Sequence, residues 1–406
     1  MQRRIISAFF FALLLTLASL ARAADTTDIA LVGAKVYPTP LSHAIDNAIV
    51  LIHAGKIQTV TTRERLKDLP KSIHVIDCSG KVIVAGFWNS HVHLTEDVWN
   101  NAATAPAEKL ERHMQEMLTR WVFTTVWDLG SEPQNTLALR RRVEAGEVAG
   151  PMILMAGNMF PKNGHPVYLP AEMQLLEVAT PEQAAQAVRN YLQLGMDGIK
   201  LFTGAFMGNK PVVNMDAAIV KASVETAHGK PVFAHPQNRT GVDNALAGGV
   251  NVLAHTIPND GSYTGEELSR MKQQHVALVP TLALWPFVVK NSPPQVGEGM
   301  LKAGVDELKS YFSAGGTILF GTDVGFSDEY DTTHELQYMG RAMGWSDILA
   351  SLTTNPSDFF KARNKGRVEV GADADLVVLD GDPAMNLRNL ARVAYTIRAG
   401  KVIFSR

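Results

Sequence analysis

The sequence predicts an α/β protein: a (β/α)₈ TIM barrel with a small discontinuous β-sandwich built from both chain ends. Apolar strand-like segments alternate with helical stretches through the middle of the chain. Such alternation is typical of βα units and a parallel sheet. We count eight strand candidates between residues 81 and 321, and about 240 residues is the usual size of a (β/α)₈ barrel. The alternative is a doubly wound open sheet, which the absence of a GxGxxG or GxxxxGK[ST] loop disfavours.

The start of the chain predicts a targeting segment. Arg3 and Arg4 precede an apolar run over residues 5–20, and the small-x-small sequence Ala21-Arg22-Ala23 follows. This layout is typical of a secretory signal peptide cleaved after Ala23. The run is shorter than the roughly 20 residues that span a bilayer, although an uncleaved anchor helix is the alternative. We therefore expect export, to the periplasm if the source is Gram-negative.

Both ends of the remaining chain are rich in short strand-like segments. They are β-branched, apolar and punctuated by glycine, at residues 30–37, 48–57, 374–383 and 393–403. Short strands need partners to bury their faces. We expect residues 24–84 and 363–406 to form one β-sandwich, and residues 85–362 to form the barrel. The acidic run Asp373, Asp375, Asp380 and Asp382 lacks the spacing of a calcium loop and indicates turn chemistry.

Composition excludes several classes of protein. Apolar residues make up 46% and charged residues 19%, which allows a sizeable core and excludes global disorder. Lys plus Arg is 38 against 40 for Asp plus Glu, so nothing favours nucleic acid or an anionic membrane as a partner. A single Cys, Cys78, excludes an intrachain disulfide and a Cys-based zinc cluster. The 12 His residues remain as candidate metal ligands.

Polar residues stand at the ends of the predicted barrel strands. The first predicted strand, residues 81–86, leads to His91 and His93, which face the same side of an extended segment. The other strand-end residues are Lys200 on the fourth strand, His235 on the fifth, His255 on the sixth and Asp323 on the eighth. Barrel enzymes keep their catalytic residues at the carboxyl ends of the strands. We therefore expect these six side chains to converge in one pocket.

These residue types fit one kind of chemistry. Imidazoles and a carboxylate suit Zn²⁺ or a similar divalent ion. A metal-bound water loses a proton near neutral pH, and a neighbouring carboxylate can pass that proton to a leaving group. A barrel-facing Lys beside metal ions is unfavourable because like charges repel. Carbamylation of Lys200 by CO₂ would remove that conflict by producing an anionic bridging ligand.

The motifs around these residues resemble those of the amidohydrolase superfamily. Residues 86–94 are similar to its PGxxDxHxH signature, and residues 320–323 and 371–378 match its late motifs. The resemblance runs from about residue 30 to residue 403 and is closest to the imidazolonepropionase-like and Xaa-Pro dipeptidase-like branch. Two positions depart from the signature, since Asn89 replaces the usual Asp and Ala85 the usual Pro.

The resemblance implies a binuclear metal hydrolase. One Zn²⁺ would be held by His91, His93 and Asp323, the other by His235 and His255, with carbamylated Lys200 as the bridge. A single ion without the Lys is the alternative, as in imidazolonepropionases. Asp323 would be the catalytic proton carrier for attack by a metal-bridged hydroxide.

The expected reaction is hydrolysis of an amide C–N bond in a dipeptide or an N-acyl amino acid. The alternatives are a cyclic-amide, lactone or ester hydrolase, and a noncatalytic periplasmic metal- or solute-binding protein. We expect a small-molecule substrate, no nucleic acid and no membrane contact after signal cleavage, and leave a homo-oligomer open. Candidate substrate contacts are His165, after the third strand, and Tyr330 and His334, after the eighth.

Overall fold

The computed structural model describes residues 28–66, 68–69 and 72–406. The predicted signal peptide, with its cleavage site, lies outside these residues. Within the described part of the chain, no helix has the length and apolar character needed to cross a membrane.

The elements alternate through the middle of the chain as expected. The strands are β1 (Ile29–Val36), β2 (Ile45–His53), β3 (Lys56–Thr62), β4 (His74–Asp77), β5 (Val82–Ala85), β6 (Phe87–Val92), β7 (Phe123–Asp128), β8 (Met152–Pro161), β9 (Glu177–Val178), β10 (Gly198–Leu201), β11 (Gly204–Ala205), β12 (Val213–Asn214), β13 (Val232–Ala234), β14 (Val252–Ala254), β15 (Ala277–Val279), β16 (Thr317–Ile318), β17 (Leu376–Leu379), β18 (Val393–Arg398) and β19 (Lys401–Ser405). The helices are α1 (Ala107–Met117), α2 (Pro133–Glu144), α3 (Pro181–Leu194), α4 (Ala217–Thr226), α5 (Arg239–Gly248), α6 (Gly265–Gln273), α7 (Leu284–Val288), α8 (Pro294–Ser313), α9 (Thr333–Met339), α10 (Trp345–Leu352) and α11 (Thr354–Phe359).

Capping residues fix where several of these helices begin and end. Thr180 accepts a hydrogen bond from Gln183 N before α3, which starts with a proline and stops at Gly195, φ +92°. Thr264 and Glu267 form a reciprocal capping box at the start of α6. These side chains satisfy N–H groups that a helix end leaves unpaired, so the boundaries are set locally.

The central sheet is parallel and curls as in a TIM-like barrel. Its order is β6-β7-β8-β10-β13-β14-β15-β16. Ser90 N donates to Phe320 O at 2.7 Å and His93 N to Val324 O at 2.8 Å, which joins the first strand to the segment after the last. The α/β class and the TIM-like sheet are therefore confirmed. The carboxyl ends of all eight strands meet at one end of this sheet.

The first barrel strand differs from the prediction. Residues 82–85 form β5, which belongs to the other large sheet, and the barrel begins with β6, Phe87–Val92. The chain crosses between the sheets at Gly86, where a Cβ atom would lie 2.3 Å from Thr124 Oγ1. An unbroken apolar run across two abutting strands shows no change of periodicity, so the sequence alone placed the strand too early.

Strands from both chain ends pair in one eight-stranded sheet. Its order is β19-β18-β17-β5-β1-β2-β3, with β4 on β1, and the antiparallel pair β5–β17 joins the two ends. Val84 and Val377 pack into the barrel core, whereas Ile83 and Val378 pack into a second core on the opposite face. The sandwich is not confirmed, because the described strands of the chain ends form a single sheet.

The acidic run near the C-terminus does more than make turns. Asp382 pairs with Lys35 at 2.7 Å, Asp380 with Lys81, and Asp373 with Lys56. Asp382 also accepts a turn hydrogen bond from Ala384 N at 3.0 Å. Each lysine lies in the N-terminal part of the chain, so these ion pairs connect the two ends that share the sheet.

Candidate metal centre

The structure brings the six predicted metal-ligand residues to the carboxyl ends of the barrel strands. His91 Nε2 lies 3.3 Å from His93 Nε2 and 3.1 Å from Asp323 Oδ1, and His93 Nε2 lies 3.0 Å from the same oxygen. Lys200 Nζ lies 3.4 Å from His91 Nε2. The ring of His255 lies 4.6 Å from that of His91 and 4.7 Å from that of His235, between centroids. We call these six residues the ligand cluster.

Most of the ligand cluster is shielded from water. His91 is 0% exposed, Lys200 1% and Asp323 4%. Burial, aided by the positive charge of Lys200, lowers the pKa of His91 and of His235 to about 3. Both imidazoles are therefore neutral at pH 7, which is the form that binds a metal ion.

Burial affects the two charged members of the cluster in different ways. It lowers the pKa of Lys200 to about 7, against the opposing charge of Asp323. Burial alone would raise the pKa of Asp323, but the neighbouring histidines, His91 first, hold that pKa well below the ordinary value. The cluster thus offers an ionised carboxylate and an amine with a substantial neutral fraction.

Hydrogen bonds from the second ring nitrogens orient the histidines. His255 Nδ1 lies 2.6 Å from Thr281 Oγ1, whose own hydrogen goes to Pro280 O. His93 Nδ1 donates to Gly130 O at 3.4 Å, a long contact. In both rings Nδ1 carries the hydrogen, so the Nε2 lone pair faces the cluster, as metal-ligating histidines require.

His235 carries its hydrogen on the other ring nitrogen, Nε2. Its Nε2 lies 3.2 Å from Gln237 Oε1, which can only accept a hydrogen bond. Nε2 therefore carries the hydrogen, and the free lone pair of this ring is on Nδ1.

Asn89 occupies the position where the resemblance expects Asp, and the structure shows its role. Its Oδ1 accepts hydrogen bonds from His91 N and Thr322 N, each at 3.2 Å. Its Nδ2 donates to Thr322 Oγ1 at 2.8 Å. The amide thus ties the strand of His91 to the residue before Asp323, and a neutral side chain performs this without a buried charge.

Two buried carboxylates brace the loops around the cluster, and the sequence did not reveal either. Asp128, at the end of β7, accepts from Ser131 Oγ at 2.6 Å, and Ser131 Oγ accepts from Leu94 N at 2.6 Å. Glu335 Oε2 accepts from Ala283 N at 2.7 Å and so holds the turn that contains Thr281. In the sequence, Asp128 is an acidic residue at a strand end and Glu335 is an acidic residue in a helix. Neither pattern predicts which group the carboxylate accepts a hydrogen bond from.

The residues of the cluster fit a divalent metal ion. With His93 donating from Nδ1, its Nε2 lone pair faces Asp323 Oδ1 at 3.0 Å, and Asp323 Oδ1 accepts no hydrogen bond from any residue that the structure describes. Two acceptors at this distance repel each other unless a cation lies between them. Ligand atoms about 2.0–2.1 Å from a tetrahedral Zn²⁺ lie about 3.3 Å apart, close to the spacing of His91, His93 and Asp323.

The candidate substrate contacts are placed differently from the ligand cluster. His165 Nε2 lies 3.1 Å from Pro170 O within its own loop. Tyr330 donates to Glu96 Oε1 at 2.6 Å and lies beside His113, while His334 pairs with Glu329 and stacks on Tyr338. These contacts give Tyr330 and His334 a role in loop packing, and contact of the three side chains with substrate stays a prediction. Tyr168, which no sequence motif singles out, packs on Phe326 beside Asp323.

Comparison with known proteins fits this geometry. A model of the family described as "Amidohydrolase family" matches residues 82–403, which is most of the chain. The chain belongs to the amidohydrolase family. The resemblance expected from the motifs is thereby confirmed, and members of this family act on small-molecule substrates.

Individual relatives of the amidohydrolase agree with the predicted branch. An imidazolonepropionase of Thermoplasma acidophilum is 22% identical over 402 residues, covering 89% of this chain and 90% of the relative. A prolidase complexed with N-methylphosphonate-L-proline has a TM-score of 0.77 at 24% identity, covering 94% of this chain and 100% of that chain. A Xaa-Pro dipeptidase with methionine bound in its active site has a TM-score of 0.76 at 22% identity, with coverage of 94% and 100%. These two structures share the fold.

The orientation of His255 gives a first testable expectation. Thr281→Ala removes the acceptor for His255 Nδ1, and we expect the dissociation constant for one metal ion to rise about 10–100-fold. Metal titration with a competing chelator measures this constant. Thr281→Ser is the matched control, because it keeps the hydroxyl and should bind metal like the wild type. Equal metal affinity in the Ala and Ser variants would contradict the role given to Thr281.

Proposed function

We propose that this amidohydrolase hydrolyses an amide C–N bond in a dipeptide or an N-acyl amino acid, with two Zn²⁺ ions held by the ligand cluster. The observation that carries the proposal is the approach of His91 Nε2, His93 Nε2 and Asp323 Oδ1 to within 3.0–3.3 Å at the carboxyl ends of the barrel strands. In the proposed arrangement His91, His93 and Asp323 hold one ion, and His235 and His255 hold the other.

Lys200 supports a second ion. The side chain is 1% exposed, and its one hydrogen-bond partner among the described residues is His91 Nε2. A buried ammonium without a hydrogen-bonded carboxylate is unfavourable, and burial lowers the pKa of Lys200 to about 7. The neutral amine can add to CO₂ and release one proton to solvent to give a carbamate, which would replace a positive charge with a negatively charged oxygen ligand for the ions.

The residues of the ligand cluster would then have separate roles in the proposed hydrolysis. Bound divalent ions polarise a carbonyl group and lower the pKa of water. Asp323, ionised and next to the reacting position, accepts the proton of the nucleophilic water and delivers it to the departing amine nitrogen. Burial of the cluster excludes bulk water, which strengthens the electrostatic interactions of these groups with the substrate.

Two other functions remain as alternatives with stated tests. The similarity to an imidazolonepropionase favours a cyclic-amide substrate, and lactones or esters belong to the same chemistry. A panel of dipeptides, N-acyl amino acids, lactams and lactones separates these activities. A noncatalytic metal- or solute-binding protein would bind metal and hydrolyse no member of that panel.

We also propose that the enzyme is exported to the periplasm after cleavage behind Ala23, and that the barrel, predicted over residues 85–362 and beginning at β6 in the structure, forms the catalytic domain. The basis for export is the arrangement of charged, apolar and small residues at positions 3–23. N-terminal sequencing of the mature protein is expected to start at Ala24; a sequence that starts at Met1 would exclude cleavage.

The proton-transfer role of Asp323 can be tested directly. Asp323→Asn keeps a ligand oxygen but cannot accept the proton, so we expect kcat to fall at least about 100-fold while zinc remains bound. Turnover of the best amide substrate and elemental analysis measure both quantities. Asp328→Asn, an exposed neighbour in the same loop, is the control and should retain wild-type kcat. Wild-type turnover by Asp323→Asn would exclude this role.

The number of metal ions depends on Lys200. We expect the wild type, prepared with bicarbonate and Zn²⁺, to bind two ions per chain and to carry one added carboxyl group on Lys200 in native mass spectrometry. Lys200→Met should lose the added mass and bind one ion. Lys210→Met, at an exposed lysine, is the control. Two ions in Lys200→Met, or no added mass in the wild type, would refute the bridging carbamate.

A further inference from the structure

Exposed apolar side chains surround the open end of the barrel, above the ligand cluster. Val167 and Tyr168, which are 56% and 37% exposed, lie in the loop after β8, and Phe206, 38% exposed, follows β11. Val167 N donates to Phe206 O at 3.1 Å, which joins these two loops. Val288, 44% exposed at the end of α7, belongs to the loop after β15. Apolar side chains gathered on loops at the functional end of a scaffold indicate a binding surface.

Three aromatic rings from three of these loops contact one another. Tyr168 packs edge-to-face on Phe326, with centroids 5.3 Å apart and planes at 70°. Phe326 packs in the same way on Phe287, at 6.3 Å and 74°. These rings come from the loops after the third, eighth and seventh barrel strands respectively. We call Tyr168, Phe326 and Phe287 the aromatic row; edge-to-face packing gives it a defined geometry.

The aromatic row is continuous with the ligand cluster. Phe326 N donates to Asp323 O at 3.2 Å, so this ring is carried by the turn that positions Asp323. From α7, which also carries Phe287, Trp285 directs its ring at His255, with centroids 6.2 Å apart.

We propose that the aromatic row is a specificity site for an apolar, preferably aromatic, side chain of the amide substrate. The inference rests on the proposed amide hydrolysis and names its substrate class: dipeptides or N-acyl derivatives of amino acids with large apolar side chains. A substrate with its amide at Asp323 extends past Phe326 and covers rings that otherwise face water. Burial of about 60 Å² of apolar surface corresponds to roughly tenfold in binding, whereas a carboxylate side chain would lose hydration there.

One positive charge borders the site and provides a competing outcome. Lys290 Nζ lies 4.1 Å from the centre of the Phe287 ring. If this ammonium dominated recognition, substrates with acidic side chains would be preferred. The aromatic row predicts the opposite order, with phenylalanine above leucine, leucine above glycine, and aspartate last.

The test compares kcat/KM for N-acetyl derivatives of phenylalanine, leucine, glycine and aspartate. We expect the phenylalanine-to-glycine ratio to be at least about tenfold in the wild type. Tyr168→Phe keeps the ring and should keep this ratio, whereas Tyr168→Ser and Phe287→Ser should each lower it several-fold. Leu194→Ser is the control, because Leu194 is 45% exposed at the end of α3 and lies at the opposite end of the barrel.

A second readout separates this inference from the proposed function. Calorimetry measures binding of free phenylalanine, glycine and aspartate to the metal-loaded wild type, to Tyr168→Ser and to Phe287→Ser. If no amide in the panel is hydrolysed, the proposed function fails, and the binding order still decides the inference. Equal affinity of the wild type for the three amino acids, or tighter binding of aspartate than of phenylalanine, would overturn the inference. The wild-type order of affinities in both Tyr168→Ser and Phe287→Ser would also overturn it.

Discussion

The mouth of the barrel depends on one electrostatic constraint: two acceptor atoms, His93 Nε2 and Asp323 Oδ1, lie 3.0 Å apart, and His91 Nε2 lies within 3.3 Å of both, in a site largely shielded from water. His91 does not supply a positive charge at neutral pH, because burial holds its pKa near 3. A divalent cation bound by His93 Nε2 and Asp323 Oδ1 would relieve the repulsion between them. The arrangement of these side chains therefore fits a bound cation.

Backbone strain accompanies this arrangement. His255, Thr281 and Asp323, each just beyond the end of a barrel strand, have φ values of +82°, +46° and +60°. Such conformations are unfavourable for residues with a Cβ atom, above all for a β-branched threonine, and cost about 1–3 kcal/mol each. They persist because other contacts fix them: Asp323 N donates to His91 O at 2.9 Å, and Glu335 holds the turn of Thr281. The strain turns the three side chains toward the cluster.

Much of the site was predictable because its residues share one positional rule. Polar side chains at the ends of apolar strand segments converge once a parallel sheet curls, and His91, Lys200 and His255 obey this rule.

The first barrel strand was misplaced because Gly86 separates two strands of different sheets within one apolar run. The single sheet at the chain ends was not distinguishable from a sandwich, since strand patterns carry no information on how many layers the strands form. The acidic run indicates only turns in the sequence because its lysine partners, such as Lys35, lie about 300 residues or more away.

Partners such as Thr281, Glu335 and Asn89 were beyond sequence reasoning for a related reason: each acts through a hydrogen bond to a group distant in the chain. Their positions show how binding and ligand geometry are coupled. The loop after β15 carries both Thr281, which orients His255, and Phe287 of the aromatic row, while the turn after β16 carries both Asp323 and Phe326. The loops that carry the aromatic row are thus the same loops that carry or orient the candidate metal ligands. A substitution that widens the aromatic row therefore acts on His255 and Asp323 through the backbone, so changes in substrate range and in metal affinity are expected to occur together in this barrel.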